Sequence, residues 1–369
     1  MASAAFFTSA ACLLLALTQI QSLDLATDTA RHVTVDRDPA KYLGHPTTAL
    51  LGDGRTILCA YPEGHGRGAI RIVRSEDGGR SWSRPQPVPA SFATSLETPT
   101  LHRFTQRDGS ERILLFSGLY PARVSHSDDG GRTWTELAPI GDFGGIVVMS
   151  SVVRLADGSL AALFHDDGRF LKQGGKAAGT FTLLQSVSRD LGRTWSAPTS
   201  LWSGSDVHLC EPGVVRSPDG RELAMLLREN RRRAESHVMF TRDEARTWSA
   251  PAPVHPALTG DRHVGAYALD GRLVLTFRDM AKDSATKGDW MAWVGRYADI
   301  GTGAGGQYRV RLMDNHHEYD CGYAGLEILD DGIFVATSYG HWAKGEKPYV
   351  SSVRFTLAEL DALAAKAPR

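Results

Sequence analysis

Ser127-Asp-Asp-Gly-Gly-Arg-Thr-Trp134 decides the fold, because the chain repeats it. Ser75-Glu-Asp-Gly-Gly-Arg-Ser-Trp82 and Ser188-Arg-Asp-Leu-Gly-Arg-Thr-Trp195 keep the pattern, and Thr241-Arg-Asp-Glu-Ala-Arg-Thr-Trp248 is a worn copy. Their tryptophans are 52, 61 and 53 residues apart. Within each copy Asp and Gly suit a tight turn, the first hydroxyl can bond local backbone, and the Trp can pin the turn against neighbouring strands. A unit recurring at such intervals is the mark of a repeat architecture.

A second repeat runs through the first. Asp-Gly between two apolar runs is a strong hairpin signal, and it occurs at Asp53-Gly54, Asp108-Gly109, Asp157-Gly158, Asp219-Gly220, Asp270-Gly271 and Asp331-Gly332. The flanks read as strands: Thr47 to Leu51 then Thr56 to Ala60, Val152 to Leu155 then Leu160 to Phe164, Gly325 to Leu329 then Ile333 to Thr337. Six hairpins spaced by 49 to 62 residues, most followed by a further hairpin at a Ser/Thr-x-Asp turn, predict an all-β, six-bladed β-propeller of four-stranded antiparallel blades. The end strands near His32 to Val35 and Val350 to Phe355 are expected to share a blade and close the ring. Almost no helical patterning appears until Leu357 to Ala365, which makes a parallel α/β sheet a poor competitor.

Register places the chemistry. The start of a blade's first strand and the end of its second emerge opposite the Asp-Gly turn. Nine positions before the turn glycines stand His45, Thr100, Met149, Glu211, Arg262 and Tyr323. Seven or eight positions after them stand Tyr61, Ser117, His165, Arg228, Arg278 and Tyr339. The two sets are expected to ring one mouth of the central channel. Three guanidinium groups there, on Arg228, Arg278 and Arg262, favour an anionic ligand, since Arg binds carboxylate through two parallel bonds. Glu211, costly to bury unpartnered, faces Tyr323 across the channel and can take its phenolic proton, making Tyr323 a candidate nucleophile.

These features resemble the sialidase (neuraminidase) superfamily, with its Asp-box repeats and six-bladed propeller, over residues 42 to 356. Cys210-Glu-Pro-Gly-Val-Val-Arg-Ser-Pro-Asp-Gly-Arg221 with Leu226-Leu-Arg228 looks like the family segment bearing the glutamate and the second arginine of its triad. Gly322-Tyr-Ala-Gly-Leu-Glu-Ile-Leu-Asp-Asp-Gly332 is similar to the segment bearing the nucleophilic tyrosine. The resemblance thus assigns those roles to Glu211, Arg228 and Tyr323. A tyrosine suits a sugar whose anomeric carbon carries its own carboxylate, because a neutral phenol is not repelled as an anionic attacker would be. The departures mark a divergent branch. Gly44-His45-Pro46 stands where the family has Arg-Ile-Pro, and the acid loop reads Tyr61-Pro-Glu-Gly-His-Gly-Arg-Gly68, leaving Glu63 or His65 as proton donor. Neither Arg278 nor Arg262 sits in a good copy of the third arginine's segment.

The wider sequence sets bounds. Of 369 residues, 41 are Lys or Arg and 42 Asp or Glu, a net charge of −1 that argues against nucleic acid or an anionic membrane as the main partner. Residues 1–23 are uncharged and read as a signal peptide, with an uncleaved anchor as the rival, leaving 24–369 as a single propeller domain. The localisation expected is secreted or periplasmic. Cys59, Cys210 and Cys321 make no C-x-x-C pair, so neither a disulfide framework nor a zinc ribbon is expected, and at least one thiol should be buried. Gly301-x-Gly-x-x-Gly306 has no following helix and implies no nucleotide. His316-His317 reads as a solvated loop pair and Arg231-Arg232-Arg233 as a charged outer turn. No cofactor or metal is expected.

The reading is an exported exo-glycosidase acting on a glycan with a terminal sialic acid or related acidic sugar. Tyr323 and Glu211 would form the nucleophile pair, and His65 or Glu63 the acid. Arg228, Arg278, Arg262, His45 and His165 would bind substrate. The alternatives are a non-catalytic glycan-binding propeller, or a His-dependent inverting glycosidase or polysaccharide lyase.

Overall fold

The computed structural model describes residues 20–366. Six sheets follow one another around the ring. Blade 1 holds Thr47–Leu50, Ile57–Pro62 and Ile70–Ser75; blade 2 holds Thr100–Thr105, Glu111–Ser117, Arg123–Ser127 and Ala138–Pro139. Blade 3 holds Ile146–Arg154, Leu160–Asp166, Phe181–Ser188 and Thr199–Gly204; blade 4 holds Leu209–Arg216, Leu223–Glu229, His237–Thr241 and Ala252–Pro253. Blade 5 holds Gly260–Tyr267, Leu273–Asp279, Trp290–Gly295 and Tyr308–Met313, and blade 6 holds Ala324–Ile328, Phe334–Gly340 and Tyr349–Phe355. His32–Asp36 pairs antiparallel with Tyr349–Phe355 and closes the ring, as the end strands imply. A helix at Leu357–Lys366 follows.

Two blades depart from four strands. Blade 1 has three, because Pro85, Pro87 and Pro89 remove alternate N–H donors where a fourth strand would lie, leaving Gln86 N–H on the Ile72 carbonyl (2.9 Å). Blade 5 has five, because Ser22–Asp24 adds parallel to Tyr308–Met313 with Leu23 buried. Folded chain therefore starts at least two residues before the expected boundary at Asp24. The rest of the expected leader, residues 1–19, lies outside the described residues. Among the described residues no helix is long and apolar enough to cross a membrane.

The first three Asp-box turns share one design, and the fourth keeps its Asp243 bonds to Arg246 and Thr247 N–H. Gly131 N–H donates to Ser127 Oγ (2.8 Å), while Asp129 accepts from the N–H groups of Arg132 (3.0 Å) and Thr133 (2.9 Å). Trp134 Nε1 donates back to the Gly131 carbonyl (3.2 Å), and Trp195 repeats the bond to Gly192 (3.2 Å) while meeting Phe116 edge-on. Each box also abuts the preceding blade. A Cβ on Gly131 would meet Leu58 at 2.3 Å, one on Gly192 would meet Leu114 at 2.3 Å, and one on Gly79 would meet Val335 at 2.7 Å. The worn copy has Ala245 at this place, and it packs in a cluster with the small Ala161.

Candidate active site

Four of the six residues at the start of the first strands have left-handed backbone: His45 (φ 57°), Met149 (54°), Glu211 (52°) and Arg262 (57°). In blades 3, 4 and 5 a register shift accompanies it, between Ile146 and Ser151, Cys210 and Gly213, and Asp261 and Val264. Such bulges re-aim side chains at the rim of a sheet, and strain of this kind collects at functional sites. Tyr323 follows Gly322 (φ 91°), where a Cβ would sit 2.5 Å from Arg278 Cβ, so only glycine lets the two segments approach.

At the mouth Tyr323 Oη donates to Glu211 Oε1 (2.5 Å), and Arg228 Nη1 donates to the same oxygen (2.6 Å). All three side chains are largely withdrawn from water. Burial and the Glu211 charge push the Tyr323 phenol well up, so it rests protonated. Burial opposes ionisation of Glu211, but Arg228 and the phenolic hydrogen bond overcome it and hold the carboxyl below its ordinary value. The pair therefore rests as phenol plus carboxylate, the state from which proton transfer can begin.

The arginine wall is built on Asp261, a fully buried carboxylate. Arg278 reaches it through Nε (2.8 Å) and Nη2, Arg232 reaches it through both terminal nitrogens (Nη2 at 2.6 Å), and Arg228 Nε lies 3.4 Å away. Three guanidinium groups hold Asp261 ionised despite its burial. Arg278 Nη1 also binds the carbonyls of Tyr319 and Cys321 (3.1 Å to the latter). Arg278 therefore braces the loop before Tyr323 as well as facing the pocket.

Opposite stands an aromatic corner. His45 stacks on Tyr339 (centroids 4.5 Å apart) and lies 4.6 Å from the Tyr323 ring. Burial drives its pKa well below the ordinary value, so it is a neutral imidazole. Its neighbour Asp320 accepts from Tyr42 Oη (2.8 Å) and Tyr339 Oη (3.1 Å) and faces His341 Nε2 (3.2 Å). His65 closes the corner at the solvent edge. Between wall and corner lies a pocket of about 600 Å³ whose lining includes His45, His65, Arg228, Arg278 and Tyr323.

Residues 27–205 match the BNR repeat-like domain. A sialidase from Micromonospora viridifaciens is 29% identical over 220 residues, covering 48% of this chain and 31% of that protein's length. Both matches support a kinship with sialidases and other BNR-repeat proteins. Solved structures share the propeller fold at lower identity. A Dyadobacter fermentans protein of unknown function superposes with a TM-score of 0.68 (15% identity, 88% of this chain and 97% of that one). A Penicillium chrysogenum alpha-L-arabinanase gives 0.61 (17% identity, 89% and 98%), and the intramolecular trans-sialidase of Ruminococcus gnavus gives 0.58 (14% identity, 86% and 95%). At these identities the likeness concerns the fold.

The hairpin count brings together Tyr323, Glu211, Arg228, Arg278 and His45, and the blade 1 loop adds His65. Four expected site residues stay out of the pocket lining, Glu211 among them, which meets the pocket through Tyr323 and Arg228. Glu63 is paired with Lys41 Nζ (2.9 Å) and with Arg71, which outweigh its burial and keep its pKa low, the wrong direction for a proton donor. His165 is buried against Phe181 (5.8 Å), its pKa pushed down by burial to about 4, and its Nδ1 accepts from Glu211 N–H (3.4 Å). It supports Glu211 from behind. Arg262 is buried below the mouth, donating to the Ser150 carbonyl (3.0 Å), with Cζ 5.9 Å from the Tyr323 ring centre.

Other residues were not singled out by pattern. Asp261 directly precedes the counted Arg262, and the bulge presents both. Arg232, read as part of an outer turn, enters the wall with φ 59°. His317, read as solvated, lines the pocket and stacks on His341 (4.3 Å). Glu97 lies beside the His65 loop, where burial raises its pKa while Thr98 N–H (3.0 Å) and Val147 N–H (3.4 Å) bind its carboxyl. Among the described residues, His317, Asp320 and His341 place donor atoms within 4.8 Å of one another. Both Asp320 oxygens already have hydrogen-bonding neighbours, so we assign no metal there. Cys59, Cys210 and Cys321 are all free and buried.

Proposed function

We propose that the protein is an exported, retaining exo-glycosidase that removes a terminal sialic acid or related acidic sugar. The observation that carries the reading is the 2.5 Å bond between Tyr323 Oη and Glu211 in an arginine-walled pocket. Arg228 spends one N–H on Glu211 and keeps its Nη2 group for a substrate carboxylate, with Arg278 adding charge behind it. Lys287 also lines the pocket and adds to its positive side.

In the first step Tyr323 Oη bonds to the anomeric carbon as the bond to the leaving oxygen breaks. Glu211 takes the phenolic proton, and His65 gives a proton to the leaving oxygen. In the second step water attacks the same carbon, His65 recovers its proton from that water, and Tyr323 departs and regains its proton from Glu211. Two displacements at one carbon give net retention. Arg228 stabilises Glu211 as a carboxylate before the transfer, which keeps the base from being protonated by solvent. The BNR repeat-like match and the sialidase relative support this chemistry, and the arginine wall supports an acidic sugar.

Tyr323→Phe tests the reading against a glycan-binding propeller. A fluorogenic sialoside should be turned over by the wild-type protein and not by this variant, while sialic acid binding persists. Proton NMR of the first-formed product should show the retained anomer. Binding with no turnover in the wild type would leave a lectin-like role, and an inverted first product would move the chemistry to a histidine-activated water.

A further inference from the structure

Resting on that reading, we propose that Asp320 and Tyr42 are positioning residues that set His65 as the proton donor, fixing its Nδ1–H so that Nε2 serves the pocket. Tyr42 Oη lies 2.8 Å from Asp320 Oδ1 and 2.8 Å from His65 Nδ1. A phenol has one hydrogen to give. A carboxylate can only accept, so that hydrogen goes to Asp320, and the Tyr42 lone pair is left for the hydrogen on His65 Nδ1. With Nδ1 so engaged, Nε2 is the nitrogen available to a leaving oxygen. When Nε2 is protonated, Asp320 Oδ1, 3.4 Å from His65 Nδ1, offsets the imidazolium charge.

The placement is braced. His65 sits in the loop between Pro62 and Ile70, with its ring edge-on to Tyr42 (5.6 Å) and His45 (4.7 Å), and its side chain 70% exposed at the pocket edge. Asp320 comes from the loop before blade 6. Asn315 ties that loop to the end of blade 6: its Nδ2 donates to the His317 carbonyl (3.1 Å), and its Oδ1 accepts from His341 N–H (3.0 Å). Asp320 N–H adds a bond to the His317 carbonyl (3.1 Å). The Tyr339 hydroxyl gives Asp320 a further donor, so the carboxylate stays fixed whether or not His65 is charged. Tyr42, before blade 1, and Asp320, before blade 6, therefore meet at the seam where the ring closes. This geometry supplies from a histidine and its support what a lone aspartate acid would supply.

A leaving-group comparison separates the proton donor from the rest of the site. The 4-nitrophenyl glycoside of N-acetylneuraminic acid departs without a proton, whereas sialyllactose needs one. His65→Ala and Asp320→Asn should lower kcat/KM on sialyllactose by roughly 10²–10⁴-fold and on the nitrophenyl glycoside by less than about tenfold. Tyr323→Phe should abolish both, so failure of the nucleophile assignment looks different from failure of this one. Equal losses on both substrates in Asp320→Asn, or the selective loss appearing in Glu97→Gln and not in His65→Ala, would overturn the proposal. Tyr42→Phe removes one hydroxyl and avoids the folding risk of Asp320→Asn. Nitrogen-15 NMR of labelled histidine, which needs no substrate, should report neutral His65 protonated at Nδ1 in the wild type and shifted towards Nε2 in Tyr42→Phe. His65 protonated at Nε2 in the wild type would refute the arrangement.

Discussion

Replacing Gly131 by alanine should destabilise the propeller although it adds a single methyl group on a surface turn. Gly131 has φ 78°, a left-handed conformation that costs an L-residue about 1–2 kcal/mol. The added Cβ would meet Leu58 Cδ1 at 2.3 Å, and Leu58 is fully buried among Ile72, Leu101 and Ile113, so it cannot swing into solvent. Overpacking of that kind costs about 1–3 kcal/mol, giving a total of about 2–5 kcal/mol. For the 347 described residues an unfolding entropy near 2.1 cal/mol/K per residue makes each kcal/mol worth about 1.4 °C, so Tm should fall by roughly 3–7 °C. Ala245→Gly is the control. It removes a methyl worth about 0.8 kcal/mol of burial and relieves a φ of 61°, so its Tm should stay within about 1 °C of wild type. Calorimetry or dye-monitored melting decides. A Gly131→Ala protein that melts with the wild type would refute the claim that the Asp-box glycine is where one blade clamps the next.

The Asp boxes also predict acid behaviour. Burial opposes the Asp129 charge, but bonds from Thr133, Ser127 and Arg132 outweigh it and bring the folded pKa down to about 2 from 3.8. A depressed folded value adds stability above the unfolded pKa that is lost as the pH falls through the folded one. Denaturant melts of wild type and Asp129→Asn should therefore differ at neutral pH and converge as pH falls from 3.8 to about 2; a constant gap would contradict this. Glu63→Gln should leave kcat/KM within about twofold of wild type, because its carboxylate is held by Lys41 and Arg71 away from the pocket. A large, leaving-group-selective loss in that variant would return Glu63 to the role of acid.

The hairpin count made the Tyr323–Glu211 encounter legible because both residues keep a fixed offset from an Asp-Gly turn, whatever the loops between blades do. It could not show how Glu211 is aimed, since the left-handed bulge at φ 52° leaves no residue signature there. Arg228 was legible for the same reason as Glu211. Asp261 was within one position of a counted residue and was missed because the bulge presents two successive side chains to one wall. Asp320 and Tyr42 lie in loops between blades, and their meeting depends on ring closure between segments 278 residues apart. Local pattern carries no trace of such a contact. Glu63 and His65 were indistinguishable in sequence; the cations of Lys41 and Arg71 separate them in space. The missing fourth strand of blade 1 was readable in Pro85, Pro87 and Pro89, where the regular repeat suggested a strand that those residues cannot pair.

In the proposed mechanism Tyr323 forms the bond to sugar. Incubation with a sialosyl donor bearing fluorine beside the anomeric carbon, which slows breakdown of the intermediate, followed by acid quench and peptide mass spectrometry, tests it most directly. One sugar-sized mass increment is expected on the peptide containing Tyr323, absent from Tyr323→Phe. The same increment on another residue, or turnover of the donor with no labelled peptide and an inverted product, would contradict it.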